Sequence, residues 1–185
     1  LFMPSQFIHV AQRFDIIRAF DQAVIFKVMQ WLSQHNELEH RRKLCSINLS
    51  IESMLDPKLP NYIKRQLTQF SIQKETLCFE LDERFVIQHL DKAIAFTKTI
   101  NELGCKIAID NVGKASTGYQ YLAEIPASYI KIDGDLIKSM HDDPIKQVIV
   151  ESIQKIANLT DKLTIAGYIE NQASLGDIRR MGVHF

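Results

Sequence analysis

The sequence predicts an α/β protein built as a (β/α)8 barrel, incomplete in this chain, with about five to six of the eight strands present. Two observations predict this. Short apolar runs near 44–49, 77–81, 105–110, 129–133 and 163–167 alternate with helical sequence, the spacing of parallel βαβ units. Four of them also end on polar groups, in Ser46-Ile47-Asn48, Cys78-Phe79-Glu80, Ile107-Ala108-Ile109-Asp110 and Ile130-Lys131-Ile132-Asp133. Barrel strands deliver functional groups at their C-terminal ends, where the loops converge on one mouth. The fifth run, Leu163-Thr164-Ile165-Ala166, ends on Gly167 instead.

The elements follow in order. Phe7, Ile8 and Ala11 give Pro4 to Arg13 a helical rhythm, with proline at a permissible first-turn position. Asp21 is placed to cap a longer helix whose apolar face is Val24, Ile25, Val28, Met29 and Leu32. Ser33 to Lys43, with His35 and His40, reads as a helix end and solvated connection. Strands and helices then alternate, with helical sequence over Phe85 to Leu103 and Ile145 to Ala157. Val183-His184-Phe185 reads as the start of a sixth strand. No Pro, Gly or Ser-rich linker interrupts the series, so residues 1–185 read as one domain.

Side chains two apart in a strand share a face, which groups Ser46 with Asn48, Cys78 with Glu80, Ala108 with Asp110 and Lys131 with Asp133. Ile47, Phe79, Ile109 and Ile132 take the other face. Small or polar groups inside and large apolar groups outside suit a ring of strands wrapped by helices. A doubly wound open sheet could alternate similarly at some positions. A complete barrel has eight strands and typically ~250 residues, so part of it lies outside these 185 residues.

Composition narrows the function classes. Hydrophobic residues make up 46% and charged residues 24%, enough apolar material for a core. Lys plus Arg and Asp plus Glu both number 22, so no net field favours DNA or a membrane surface. No apolar run approaches the ~20 residues of a membrane span, and no export pattern opens the chain, so a cytoplasmic domain without direct membrane insertion is expected. Cys45, Cys78 and Cys105 fall in strands without CxxC spacing and read as core packing. Gly113 and Gly118 have the glycine spacing of a phosphate loop, but Tyr119 stands where that motif needs lysine. The six histidines lack HxH or HExxH spacing, and no GxSxG elbow occurs.

The chemistry-bearing candidates stand at the strand ends. Oxygens of Asn48, Glu80 and Asp110, on successive strands, could meet around one hard cation such as Mg²⁺ or Mn²⁺. Singly, each has a structural reading as a turn or cap residue. Lys131 points inward, where a lysine needs a counter-charge: it either stabilises charge on a phosphoryl oxygen or forms an ion pair with Asp133 or Asp110.

Together the segments Ser46–Ser50, Cys78–Glu83, Ala108–Gly113, Tyr129–Asp133 and Ile165–Asn171, with Pro4–Ile8 near the start, resemble the EAL domain of bacterial cyclic di-GMP phosphodiesterases. The resemblance covers nearly the whole chain. It implies a TIM-type barrel that binds cyclic di-GMP at its mouth and uses two Mg²⁺ or Mn²⁺ ions to hydrolyse one phosphodiester to pGpG. By resemblance, Asn48, Glu80 and Asp110 hold metal-ligand positions and Asn111 a second-metal position. Lys131 stands near the attacking water, Glu83 supports the loop after strand 5 of the barrel, Glu170 is the later glutamate of an A-E-x-V-E run, and Asp133 is a binding residue.

Departures from the family pattern carry their own implications. Asn111 replaces the second of two aspartates, and Gly167 replaces the first glutamate of A-E-x-V-E. The loop from Asp110 to Ala115 lacks the family's aromatic residue and second glycine. The E-x-L signature would lie upstream of Leu1 and the Q-G segment beyond Phe185, a domain truncated at both ends relative to the family. The expectation is a degenerate EAL domain, with metal binding weakened or lost, that binds cyclic di-GMP or regulates other domains of a larger signalling protein. An active phosphodiesterase, with Glu170 or a water replacing the missing carboxylate, and a nucleotide-free scaffold are the alternatives. Homodimerisation, common among EAL relatives, stays open.

Overall fold

Five strands form one parallel sheet in the order of the sequence: β1 (Cys45–Asn48), β2 (Leu77–Asp82), β3 (Lys106–Val112), β4 (Tyr129–Ile132) and β5 (Leu163–Ala166). The computed structural model describes residues 10–14, 16–35, 44–115, 118–170 and 172–185. Each strand pairs with the next one in sequence, as a closing barrel requires, whereas a doubly wound sheet reverses its order at a switch point. The sheet is an incomplete barrel. Phe185 extends it: its N–H donates to the Thr164 carbonyl at 3.1 Å, and its carbonyl accepts from Ala166 N–H at 2.7 Å. These residues, where Val183-His184-Phe185 predicts a sixth strand, form no regular strand beyond these two backbone hydrogen bonds to β5.

Helices cover one face of the sheet. Before β1 come helical residues 10–13 and α1 (Ile17–Gln34). After it come α2 (Ile51–Met54) and α3 (Leu59–Phe70), then after β2 α4 (Glu83–Gln88) and α5 (Leu90–Glu102). The short α6 (Tyr121–Glu124) follows β3, α7 (Gly134–Ser139) and α8 (Pro144–Leu159) follow β4, and α9 (Gln172–Met181) follows β5. The helical sequence from Phe85 to Leu103 divides in two because His89 leaves helical geometry (φ −135°, ψ 44°). Residues 4–9 of the helix expected at Pro4 to Arg13, and 36–43 of the connection after α1, lie outside the described residues.

The pleat sorts the side chains as the alternation predicts. Ile47, Phe79, Ile107, Ile109, Ile130 and Ile132 are buried under Met29, Ile63, Ile100 and Ile153 of the covering helices. Cys105 belongs to this packing, whereas Cys78 is buried on the inner face with Glu80; burial pushes both thiols up to about 12, with Glu80 adding to the shift of Cys78 and Glu75 to that of Cys105. Neither is a nucleophile at neutral pH.

Asp21 differs from its expected place. The helix begins four residues earlier, at Ile17, and Asp21 lies inside it, buried. Its Oδ2 accepts from the backbone N–H of Ser50 at 2.9 Å and from the Ser50 hydroxyl at 2.6 Å. Ser50 in turn caps α2 by accepting from Ser53 N–H at 3.2 Å. A carboxylate with two donors on a neighbouring element gains more there than at an exposed cap, so α1 extends past it. Asp21→Ala should leave these donors unpaired and cost about 2 kcal/mol of stability, read as a lower urea midpoint. Asp21→Asn, which keeps an acceptor oxygen, should recover part of the loss.

Candidate active site

The C-terminal ends of β1 to β4 bring polar side chains to the inner face in register. Asn48 pairs with Glu80, Glu80 with Ala108, and Asp82 with Asp110. Lys131, from β4, reaches across β3 to both acids: its Nζ lies 2.6 Å from Glu80 Oε2 and 3.1 Å from Asp110 Oδ1. Ala108 makes this possible, because a larger side chain at the intervening inward position would stand in the way. Of the two ion-pair partners the sequence suggests for Lys131, the structure supplies Asp110, and it adds Glu80.

Burial disfavours the Lys131 ammonium, but hydrogen bonds and charge from Glu80 and Asp110 together outweigh it and raise the amine above its ordinary value of 10.5. Lys131 therefore stays protonated at neutral pH. It can hold an anionic oxygen or polarise a water, and it cannot act as a proton acceptor there.

Between Ile109 and Val112 the β3–β4 register shifts, so Asp110 and Asn111 together face Lys131. This bulge turns two consecutive side chains toward the mouth, a device common beside active sites. Asn111 takes a left-handed backbone (φ 59°), which asparagine tolerates better than most residues. Its amide donates to Asp82 Oδ2 at 3.2 Å. Asp82 is fully engaged: it caps α4 through Arg84 N–H at 3.0 Å and binds the Arg84 guanidinium at 2.9 and 3.0 Å. Burial pushes the Asp82 carboxyl up, but the Arg84 hydrogen bonds and charge, helped by Asn111, hold it below its ordinary 3.8. The sequence reading missed Asp82; an aspartate two residues before an arginine at a helix start is the signal that could have found it.

Glu83 is fully buried and has a different task. Its two oxygens accept from Gly113 N–H at 3.1 Å, Ala115 N–H at 2.8 Å and the Tyr121 hydroxyl at 2.6 Å. It is a positioning residue that ties down the loop after β3. Gly113 is needed in that loop, since its φ is 100° and a Cβ there would run into Leu136. Asp133 caps α7 by accepting from Asp135 N–H at 3.0 Å. Glu170 is exposed beyond β5 and joins none of these contacts among the described residues.

Glu80 and Asp110 aim oxygens at one point, which the Lys131 ammonium occupies; with the exposed Asn48 beside Glu80 in register, these are oxygen donors of the type that would hold one hard dication such as Mg²⁺ or Mn²⁺. Such an ion would supply Lewis-acid polarisation of a phosphoryl oxygen. A second ion finds little to hold it: Asn111 is neutral and tied to Asp82, and Gly167 has no side chain. Among the described residues no three His, Cys, Asp or Glu side chains cluster as a metal site. Space is not the obstacle at Gly167, because a Cβ built there meets nothing within 4 Å.

Comparison with known proteins completes the site's context. The sequence profile of the family described as EAL domain matches residues 1–185. The chain is 32% identical over 182 residues to the cyclic di-GMP phosphodiesterase PdeB of Shewanella oneidensis, covering 98% of this chain and 21% of that protein. It is 28% identical over 185 residues to the cyclic di-GMP phosphodiesterase PdeF of Escherichia coli, covering 100% of this chain and 25% of that protein. The chain thus spans about a fifth to a quarter of the length of these curated relatives. Its fold matches the PaMucR phosphodiesterase in complex with c-di-GMP (TM-score 0.91, 22% identity, 98% of this chain and 74% of that one). It also matches the FimX EAL domain from Pseudomonas aeruginosa bound to c-di-GMP (TM-score 0.87, 23% identity, 97% and 72%). A profile match from end to end, on a parallel barrel sheet with its polar residues gathered at the strand ends, places this chain in the EAL domain family.

Proposed function

We propose that this EAL domain is a degenerate, cytoplasmic member of bacterial cyclic di-GMP signalling, binding the dinucleotide or regulating attached domains with weak or no hydrolysis. One observation carries the proposal. By resemblance, Asn111 stands at a second-metal position and its amide is committed to Asp82, while Gly167 removes a carboxylate from the metal and water network. Two-metal hydrolysis needs both the attacking and the leaving oxygen clamped. Removing even one electrostatic contact of this kind can lower a rate by ~10²–10³. Names of the relatives, which are phosphodiesterases of cyclic di-GMP, support the ligand. Among the described residues no helix is long and apolar enough to cross a membrane.

The surviving Glu80–Lys131–Asp110 cluster favours a second reading, an active metal-dependent phosphodiesterase producing pGpG. Hydrolysis of cyclic di-GMP with Mn²⁺ separates the two: negligible turnover is expected, and turnover ordinary for an active relative would overturn the proposal. Restoration needs three substitutions, because Asn111→Asp alone would set a carboxylate against Asp82. The triple variant Asp82→Asn, Asn111→Asp, Gly167→Glu should gain at least about 10²-fold in rate, whereas Asn111→Asp alone should gain little and lose stability.

Asp82 also leaves a pH signature. Because its folded-state value is depressed, its contribution to stability is present above its ordinary 3.8 and is lost as pH falls through the lowered value. Asp82→Asn keeps a cap but abolishes the titration. The stability difference between wild type and this variant, measured by urea unfolding, should be full at neutral pH and shrink progressively below about pH 4.

A further inference from the structure

Directly after Gly167, Tyr168 adopts φ 61°, the left-handed region that a bulky aromatic residue rarely enters. Gly167, which could take that conformation freely, does not occupy it. The strain brings no core burial in return, since Tyr168 remains 66% exposed. The side chain is nevertheless held. Its ring lies against Gly134, where a Cβ would collide with it, and the Lys138 ammonium stands 4.4 Å from the ring centroid. Gly134 and Lys138 are one turn apart on α7, so both meet the ring from the same helix face. With these two contacts the residue still leaves most of its surface to solvent.

Tyr168 and its contact Gly134 both sit at the mouth: Gly134 follows the end of β4, and Tyr168 follows the end of β5. Backbone strain that the core does not repay is a mark of ligand-contacting positions. A fixed aromatic face beside a cation suits a planar base carried on a phosphate backbone.

We propose that Tyr168 is a base-stacking residue for one guanine of the cyclic dinucleotide, with Lys138 holding the ring and lying within the field of the adjoining phosphate. The proposal rests on the reading that this domain binds cyclic di-GMP. Stacking does not need a metal ion, so it supplies affinity at the side of the mouth where Gly167 removes a carboxylate. It also explains why an aromatic residue is kept in a conformation that glycine would adopt without strain.

Isothermal titration of the full chain with cyclic di-GMP tests it, using wild type, Tyr168→Gly and Tyr168→Phe, with the thermal midpoint of each recorded. Tyr168→Gly should bind roughly tenfold to a hundredfold more weakly while its midpoint stays equal or rises, because glycine relieves the strain. Tyr168→Phe should bind like wild type. If Tyr168→Gly binds as tightly as wild type, the stacking role is overturned and the receptor reading stands. If Tyr168→Gly loses both affinity and thermal stability, the residue is structural and the proposal also falls. If wild type itself does not bind, the receptor reading fails and the stacking role with it.

Discussion

Two carboxylates cannot share the inner rim of a parallel sheet unless a cation holds them, and here Lys131 does so. The ammonium bridges Glu80 of β2 and Asp110 of β4's other neighbour, β3, drawing three strands toward one point. Its position depends on features of quite different kinds. The pleat must turn Lys131 inward, Ala108 must be small, and the bulge after Ile109 must bring Asp110 level with it. Two acids and one ammonium give this cluster a formal net charge of about −1.

Around this cluster two further carboxylates act on backbone rather than on ligand. Glu83 takes three donors from the loop after β3 and its following helix, so that loop is fixed from beneath by a buried acid. Asp82 is fixed by Arg84 and in turn fixes Asn111. These two adjacent residues point their carboxylates to different tasks because one ends a strand and the other begins a helix. The replacement of an aspartate by Asn111 is therefore part of a local hydrogen-bonded arrangement and not an isolated loss of charge. A carboxylate at 111 would face Asp82 across the same 3.2 Å that the amide now bridges.

The strands, their parallel order and the inward register of Asn48, Glu80, Asp110 and Lys131 were legible because period-two alternation is a property of local sequence. What escaped detection depended on contacts between distant segments. Asp21 has the composition of a helix cap, but Ser50, 29 residues away, draws it into the interface. The Asp82–Asn111 contact likewise spans 29 residues. Left-handed backbone at Asn111 and Tyr168 has no signature in residue type alone, since asparagine is common elsewhere and tyrosine is the wrong residue to expect there. Motif resemblance singled out candidate positions and implied loop support for Glu83; the geometry shows Glu83 bonded to the loop after β3 and Asp133 capping α7.

A cyclic dinucleotide carries two phosphodiester charges, which sets a condition on any receptor reading of this mouth. The Glu80–Lys131–Asp110 cluster, at about −1, repels such a ligand unless a divalent ion reverses its sign. On a receptor reading without a second ion, affinity must come from contacts away from those acids. Neutral recognition of the bases meets that condition, because stacking is indifferent to the charge of the rim. The exposed ring of Tyr168, supported by Lys138, stands directly after Gly167 at the end of β5, a side of the mouth where position 167 carries no carboxylate to repel such a ligand.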